Sequence, residues 1–132
     1  MKIHEIKVKD PNNYYSILIG NNILKILPKK ISLLCPQVKK VAIIFDSGVP
    51  IKNKKIILNN LKKYEVFKYI FSANEKTKSL NSVSAFLNKL LARNFNRSDL
   101  IIAVGGGITG DLIGFVANIF KRGINYISIP TT

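Results

Sequence analysis

Residues 100–132 read LIIAVGGGITGDLIGFVANIFKRGINYISIPTT, and this stretch decides the fold. It begins with an apolar run, residues 100–104, which predicts a strand buried on both faces of a parallel sheet. Three consecutive glycines follow, and from Asp111 onward apolar residues recur at spacings of three and four, which predicts a helix. A strand that leads through glycines into a helix exposes backbone N–H groups where the helix dipole favours an anion. The stretch therefore predicts a phosphate site.

The glycine spacing in this stretch allows two interpretations. Gly105, Gly107 and Gly110 match the form of the dinucleotide-binding fingerprint. That fingerprint is usually followed, about 20 residues later, by an acidic residue that binds the ribose, and this chain has Pro130 there. The alternative is a glycine turn that serves only tight packing of the helix on the sheet, and the spacing alone leaves both interpretations open.

Composition narrows the class of protein. The chain has 132 residues, of which 47% are hydrophobic, and a net charge of +14. This length suits one domain, and no apolar run reaches the roughly 18 residues of a membrane span. The amino-terminal residues alternate and are charged, unlike a secretory signal, and the single cysteine excludes an internal disulfide. The lysines are scattered, without a helix-turn-helix or basic aromatic motif. We therefore expect a cytoplasmic protein with neither a nucleic acid nor a membrane as its partner.

Strand and helix patterns alternate along most of the chain. A hairpin is predicted at residues 2–8 and 14–19, and a short helix at 23–27 ends before Pro28. Further strands are predicted at residues 41–45, 65–71, 100–104 and 126–129, with helices at 51–63 and 80–94 and after Asp111. The fold class is therefore α/β: a Rossmann-like, mostly parallel sheet with helices on both faces, preceded by an N-terminal β-hairpin. We expect residues 1–132 to form one domain.

Acidic residues are scarce, and three of the seven fall at or just after predicted strand ends. These are Asp46, Glu75 and Asp111. In open α/β sheets ligands bind beyond the carboxyl ends of the strands, so these carboxylates are candidate ligand contacts. Asp46 is equally well interpreted as a hydrogen-bond acceptor for a ribose hydroxyl or as a helix-cap or turn residue.

Three segments, GGGITGD, GFVANIFKRGI and SIPTT, together resemble the cofactor-binding core of the 3-dehydroquinate synthases. That family belongs to the sugar-phosphate cyclases and is more distantly related to iron-dependent alcohol and glycerol dehydrogenases. The loop at residues 72–78 is similar to the family's Pro-Gly-Glu-x-x-Lys pattern, with Glu75 and Lys78 at matching positions. Asn74 stands where the family has glycine, and we expect it to preserve the turn by adopting a left-handed backbone conformation.

The resemblance implies a specific reaction and a specific pair of cofactors. A 3-dehydroquinate synthase converts 3-deoxy-D-arabino-heptulosonate 7-phosphate into 3-dehydroquinate and phosphate, in the shikimate route to aromatic amino acids. It uses NAD and a divalent metal, zinc or cobalt, and a homodimer is expected for the full-length enzyme. The family's metal ligands, a glutamate and two histidines, have no counterpart in a chain whose only histidine is His4. We therefore expect the N-terminal NAD-binding domain of a longer enzyme, without a metal site and inactive alone.

The resemblance also assigns roles to individual residues. Asp111 would lie beside the nicotinamide ribose and the substrate as a catalytic residue, and residues 106–110 would hold the diphosphate. Glu75 and Lys78 would face the ribose and adenine, although a salt-bridged helix start is an alternative for these two. The residues assigned to the cofactor are Asp46, Asn74, Glu75, Lys76, Thr77, Lys78, Gly106, Gly107, Ile108, Thr109, Gly110, Asp111, Thr131 and Thr132.

Arg122 is the residue that the resemblance assigns to the substrate phosphate. A planar guanidinium matches phosphate oxygens, and in this family such an arginine reaches into the site of a partner subunit. The alternative is a basic residue that stabilises a helix carboxyl end. Three other functions remain open from the sequence: another sugar-phosphate cyclase, a polyol dehydrogenase, and a non-catalytic, degenerate NAD-binding module.

Overall fold

Four parallel strands form the central sheet, with helices on both faces and a separate antiparallel hairpin before it. The computed structural model describes residues 2–11 and 13–131. The strands are β1 Ile3–Asp10, β2 Asn13–Gly20, β3 Lys40–Asp46, β4 Glu65–Phe71, β5 Leu100–Gly105 and β6 Asn125–Pro130. The helices are α1 Leu27–Leu34, α2 Ile51–Asn59, α3 Leu80–Ala92 and α4 Gly107–Ile119, with short 3₁₀ segments at Ile23–Ile26 and Phe120–Arg122.

The continuous apolar runs of β3 and β5 are buried because helices cover both faces of the sheet. Successive side chains of a strand point to opposite faces, so these residues divide between two cores. Ala42, Ile44, Ile101 and Ala103 pack with residues of α3 and α4. The alternate residues, including Ile43 and Ile102, pack with residues of α1 and α2. The predicted Rossmann-like arrangement is therefore confirmed.

The strand order of the sheet is β4-β3-β5-β6, and all neighbouring strands are parallel. The chain moves outward from β3 to β4 and then crosses back to place β5 on the other side of β3. The connections leaving β3 and β5 therefore diverge, so the carboxyl ends of these two strands are the topological switch point of the sheet, and we refer to this location as the crevice. Open α/β sheets bind their ligands at such a switch point.

The predicted N-terminal hairpin is confirmed and is longer than expected. Strands β1 and β2 pair antiparallel from Ile3 opposite Gly20 to Asp10 opposite Asn13. They form a sheet of their own and do not extend the parallel sheet.

Two helix boundaries differ from the sequence-based expectation. Pro28 does not follow a helix but lies in the first turn of α1, where its missing N–H costs nothing. Helix α2 ends at Asn59 and not at Lys63. The backbone of Asn60 and Leu61 bonds three residues back, to Ile57 and Leu58, and this tighter turn ends the helix.

The start of α4 also differs from the expectation. The helix begins at Gly107, four residues before Asp111, and Gly106 is its N-cap. The N–H of Gly110 donates to the carbonyl oxygen of Gly106 at 3.0 Å, so the glycines form the first turn of the helix. Asp111 consequently lies in the second turn. Within the described residues, no helix has the length and apolar character needed to cross a membrane.

Candidate functional site

The carboxyl ends of β3 and β5 meet at the floor of the crevice. A Cβ atom on Gly105 would lie 2.9 Å from the Cβ of Asp46 and 2.9 Å from the Cβ of Thr109. Real side chains do not tolerate such distances, so Gly105 is required for β3, β5 and the first turn of α4 to approach one another. The packing interpretation of the glycines is therefore correct for Gly105.

Gly107 needs a different explanation. A Cβ atom on Gly107 would meet nothing within 4 Å, and its φ angle is not in the left-handed region. Neither crowding nor backbone conformation within the chain therefore requires glycine here. The residue is exposed, so the open space faces solvent at the mouth of the crevice.

The amino end of α4 has no side-chain cap. Gly106, the N-cap residue, makes no side-chain hydrogen bond, and the first turn carries no acidic residue. The first N–H groups of a helix have no partner within the helix, and the helix dipole places partial positive charge there. This end of α4 can therefore bind an anion through its backbone.

Thr109, in the first turn of α4, is fully buried. Within the described part of the chain its Oγ1 is a buried side-chain atom without a hydrogen-bond partner. A helical threonine often bonds the carbonyl four residues earlier, but the carbonyl oxygen of Gly105 accepts from the N–H of Thr131 at 2.9 Å and not from the Thr109 hydroxyl. An unpaired buried hydroxyl costs about 1–3 kcal/mol, so this turn is not optimised for stability alone.

The loop between β4 and α3 is held by the side chain of Asn74. Its Oδ1 accepts from the N–H of Lys76 at 2.9 Å and of Thr77 at 3.0 Å. The Thr77 hydroxyl donates to the carbonyl of Ser72 at 2.7 Å and accepts from the N–H of Asn74 at 2.9 Å. The expectation of a left-handed Asn74 is wrong, because Asn74 is not among the residues with positive φ. Asparagine replaces glycine here by capping the turn with its amide oxygen.

Asp46 ties this loop to the end of β3. Its Oδ1 accepts from the N–H of Ala73 and its Oδ2 from the N–H of Gly48, both at 3.2 Å. Asp46 therefore has the role of a turn residue, which was one of the two interpretations of the sequence, and its bond to Ala73 holds the loop between β4 and α3 against the end of β3. Each carboxylate oxygen has a second lone pair, so Asp46 keeps the capacity to accept a hydrogen bond from a ligand.

An ion pair joins the loop to α4. The Lys78 Nζ lies 3.5 Å from Asp111 Oδ2, and the side chains are 46% and 69% exposed. The salt-bridged helix start considered for Glu75 and Lys78 is therefore replaced by a bridge between two elements. Glu75 is exposed on the same loop.

Strand β6 closes the other side of the crevice. Thr131 follows it directly and bonds Gly105 through its N–H, as described above, whereas Thr132 lies outside the described residues. The hydroxyl of Tyr126 donates to the carbonyl oxygen of Gly110 at 2.9 Å. Sequence reasoning did not identify Tyr126, because its neighbours Gly110 and Gly114 lie on α4 and only the fold brings them to β6. A Cβ at Gly114 would lie 3.4 Å from the tyrosine ring.

The structure does not bring Arg122 to this crevice. Arg122 lies beyond the carboxyl end of α4, and the 13 residues of that helix span about 20 Å. Lys121 and Arg122 both have positive φ, 47° and 67°, and Arg122 is exposed on this corner. Within one chain, Arg122 therefore cannot contact a ligand held at the amino end of α4.

A metal site needs several donor side chains close together. Residues 2–11 and 13–131 contain no group of three or more His, Cys, Asp or Glu side chains that could hold a metal ion. Cys35 is a free thiol, and burial raises its pKa.

The strand order and the uncapped glycine turn define a class of protein, the Rossmann-like domains that bind ligands at the switch point of a parallel sheet. The chain superposes on 2-deoxy-scyllo-inosose synthase complexed with carbaglucose-6-phosphate, NAD+ and Co2+ with a TM-score of 0.87. The two sequences are 28% identical, and the match covers 98% of this chain and 35% of that one. A 1,3-propanediol oxidoreductase, at 20% identity and a TM-score of 0.64 over 86% of this chain and 33% of that one, shares the fold.

Sequence comparison identifies the family within that class. Residues 68–132 match the family model described as 3-dehydroquinate synthase N-terminal. The 3-dehydroquinate synthase of Pelagibacter ubique is 41% identical over 132 residues, which are 100% of this chain and 36% of that protein. The chain belongs to the 3-dehydroquinate synthase family and aligns with the N-terminal part of its members. It thus spans about a third of the length of the curated relatives it matches.

Proposed function

We propose that residues 1–132 are the NAD-binding domain of a 3-dehydroquinate synthase. The whole enzyme would convert 3-deoxy-D-arabino-heptulosonate 7-phosphate into 3-dehydroquinate and phosphate. The observation that carries this proposal is the uncapped amino end of α4, which opens to solvent at the switch point of the sheet. NAD binding by the related 2-deoxy-scyllo-inosose synthase, which has 28% sequence identity and the same fold over this region, supports it.

The residues at the end of α4 fit a diphosphate. A phosphate oxygen can approach the backbone over Gly107, since no side chain fills that space. The free N–H groups of the first turn then donate to the phosphate oxygens, and the helix dipole stabilises the negative charge. Lys78, held beside the turn by its ion pair with Asp111, adds a positive charge on the same side.

The surrounding loops fit the sugar and base parts of the same ligand. Asp46 keeps lone pairs for a ribose hydroxyl, and the residues of the capped loop, Glu75 and Lys76 among them, are exposed above it. The Asp111 carboxylate is paired with Lys78, and this ion pair partly offsets its negative charge beside the diphosphate. We propose that Asp111 contacts the nicotinamide ribose and the substrate, and that Thr131 and Thr132 line the pocket.

The chemistry of the reaction needs parts that this chain's residues do not supply. NAD, when bound, supplies a hydride acceptor, while the protein orients it and adjusts its electrostatic surroundings. The described residues hold no donor set for a divalent metal, so zinc or cobalt and the sugar phosphate would bind with the help of the rest of the enzyme. Arg122 would contact the substrate phosphate only in the site of a second subunit, because it lies at the far end of α4.

Calorimetric titration of the purified chain with NAD, ADP-ribose and adenosine tests this proposal. NAD and ADP-ribose should bind with a Kd of about 1 mM or below, equivalent to about −4 kcal/mol, and adenosine should bind more weakly because it lacks the diphosphate. The chain alone should not form 3-dehydroquinate. If neither NAD nor ADP-ribose binds to a chain that circular dichroism shows to be folded, the proposed nucleotide-binding role is wrong. The alternative function, a degenerate and non-catalytic module, would then be favoured.

A further inference from the structure

Strand β6 and the residue that follows it hold the glycine segment of α4 at both of its ends. The N–H of Thr131 donates to the carbonyl of Gly105, just before the segment, and the hydroxyl of Tyr126 donates to the carbonyl of Gly110, its last residue. Both distances are 2.9 Å. We propose that Tyr126 is a positioning residue for the diphosphate-binding turn, and this inference rests on the proposed function.

The surroundings of Tyr126 favour a fixed ring and a permanent donor. The ring lies against Gly114, where a Cβ atom would approach its Cε2, Cζ and Oη to 3.4–3.5 Å. Burial raises the pKa of the hydroxyl, a hydrogen bond with Ser128 lowers it, and the negative charge of Asp111 raises it. The shift is upward overall, so Tyr126 is protonated at neutral pH and donates to Gly110.

The turn needs such an external restraint because its own residues provide little. Gly106, Gly107 and Gly110 have no side chains that could pack, and glycine is the least conformationally restricted residue. No side chain caps the helix, and the hydroxyl of Thr109 has no partner within the described chain. The direction of the N–H groups therefore depends on where the two carbonyls are held. The bond from Tyr126 should matter more for the ligand than for the fold.

The test compares Tyr126→Phe with a matched control, Tyr64→Phe. Tyr64 also has a hydroxyl contact, with Ser32 Oγ at 3.4 Å, but it lies on the other core and away from the crevice. Each purified chain is titrated with NAD, ADP-ribose and adenosine, and its amide hydrogen exchange is followed by mass spectrometry. A second readout is needed because the stability of the protein would fall both for a residue that only stabilises the fold and for a residue that positions the turn.

Tyr126→Phe should weaken NAD and ADP-ribose about three- to tenfold, the ratio expected for one lost hydrogen bond, with adenosine unchanged. Exchange should become faster in residues 106–111 and stay the same in residues 112–119. Tyr64→Phe should change none of these values. Unchanged diphosphate affinity, an equal loss for adenosine, or an unfolded Tyr126→Phe would overturn the positioning role. If the unmodified chain binds neither diphosphate ligand, the proposed function fails, and this inference fails with it.

Discussion

Gly107→Asp separates the two interpretations of the glycine turn, because it should leave the fold intact and prevent diphosphate binding. The new Cβ atom would meet no atom within 4 Å, so no steric cost is expected. Removing a glycine from a helix stabilises it by about 0.5–1 kcal/mol, although less at the first position. A carboxylate in the first turn adds about 0.3–1 kcal/mol through the helix dipole. The melting temperature should therefore stay the same or rise by a few degrees.

The expected loss of binding follows from Coulomb repulsion. A carboxylate about 5 Å from one unit charge costs about 1–3 kcal/mol at an effective dielectric constant between about 80 and 20. A diphosphate carries two such charges, so the total is about 2–6 kcal/mol, or at least a thirtyfold loss of affinity. Calorimetric titration with NAD and thermal denaturation followed by circular dichroism measure both effects on the same samples.

Two other variants serve as controls. Asn53→Asp introduces the same charge in the first turn of α2, so it accounts for the change in net charge of a strongly basic protein, and NAD binding should persist. Gly105→Ala places a Cβ atom 2.9 Å from two others and should cost about 1–3 kcal/mol of stability. A folded Gly107→Asp that binds NAD as the unmodified chain does would refute the diphosphate site. If Gly107→Asp destabilises as strongly as Gly105→Ala, the conclusion that the space is open is wrong.

Three further outcomes follow from the contacts. Lys78→Met should lower the free energy of unfolding in urea by less than about 1 kcal/mol, since its bridge to Asp111 is exposed, and a larger loss would mean a structural role. Asp99→Ala should lower the free energy of unfolding by about 2–4 kcal/mol in the same assay, because this buried carboxylate accepts hydrogen bonds from three backbone N–H groups. A loss below about 1 kcal/mol would mean that these three hydrogen bonds do not stabilise the fold. Burial raises the pKa of Tyr126 in the folded state above 10.0. The stability that the protonated Tyr126 hydroxyl contributes is therefore fully present below pH 10.0, and it is lost as the pH rises through the pKa of the folded state. The stability difference between the unmodified chain and Tyr126→Phe should therefore shrink above pH 10.0, and a constant difference would exclude the shift.

Much of the fold could be predicted because its signals are local. Residues 65–71 were predicted as a strand and form β4 with the same bounds, since the segment is rich in aromatic and β-branched side chains and is followed by the polar loop that begins at Ser72. The errors in the helices are α1, which was not predicted beyond Pro28, and the helix ends at Lys63 and Asp111. A helix end depends on which backbone groups find partners after packing, and periodicity does not report those partners.

The sequence by itself determined the alternation of strands and helices, the glycine turn after β5 and the family, because each resides in a continuous segment. Only the tertiary structure decided that Gly105 serves packing while Gly107 faces open space, although the two are neighbours in one motif. It also joined Lys78 to Asp111, Tyr126 to Gly110, and Asp46 to the loop at Ala73, and it separated Arg122 from the crevice. Contacts between different elements depend on strand order and helix direction, and the spacing of residues along the chain does not contain that information.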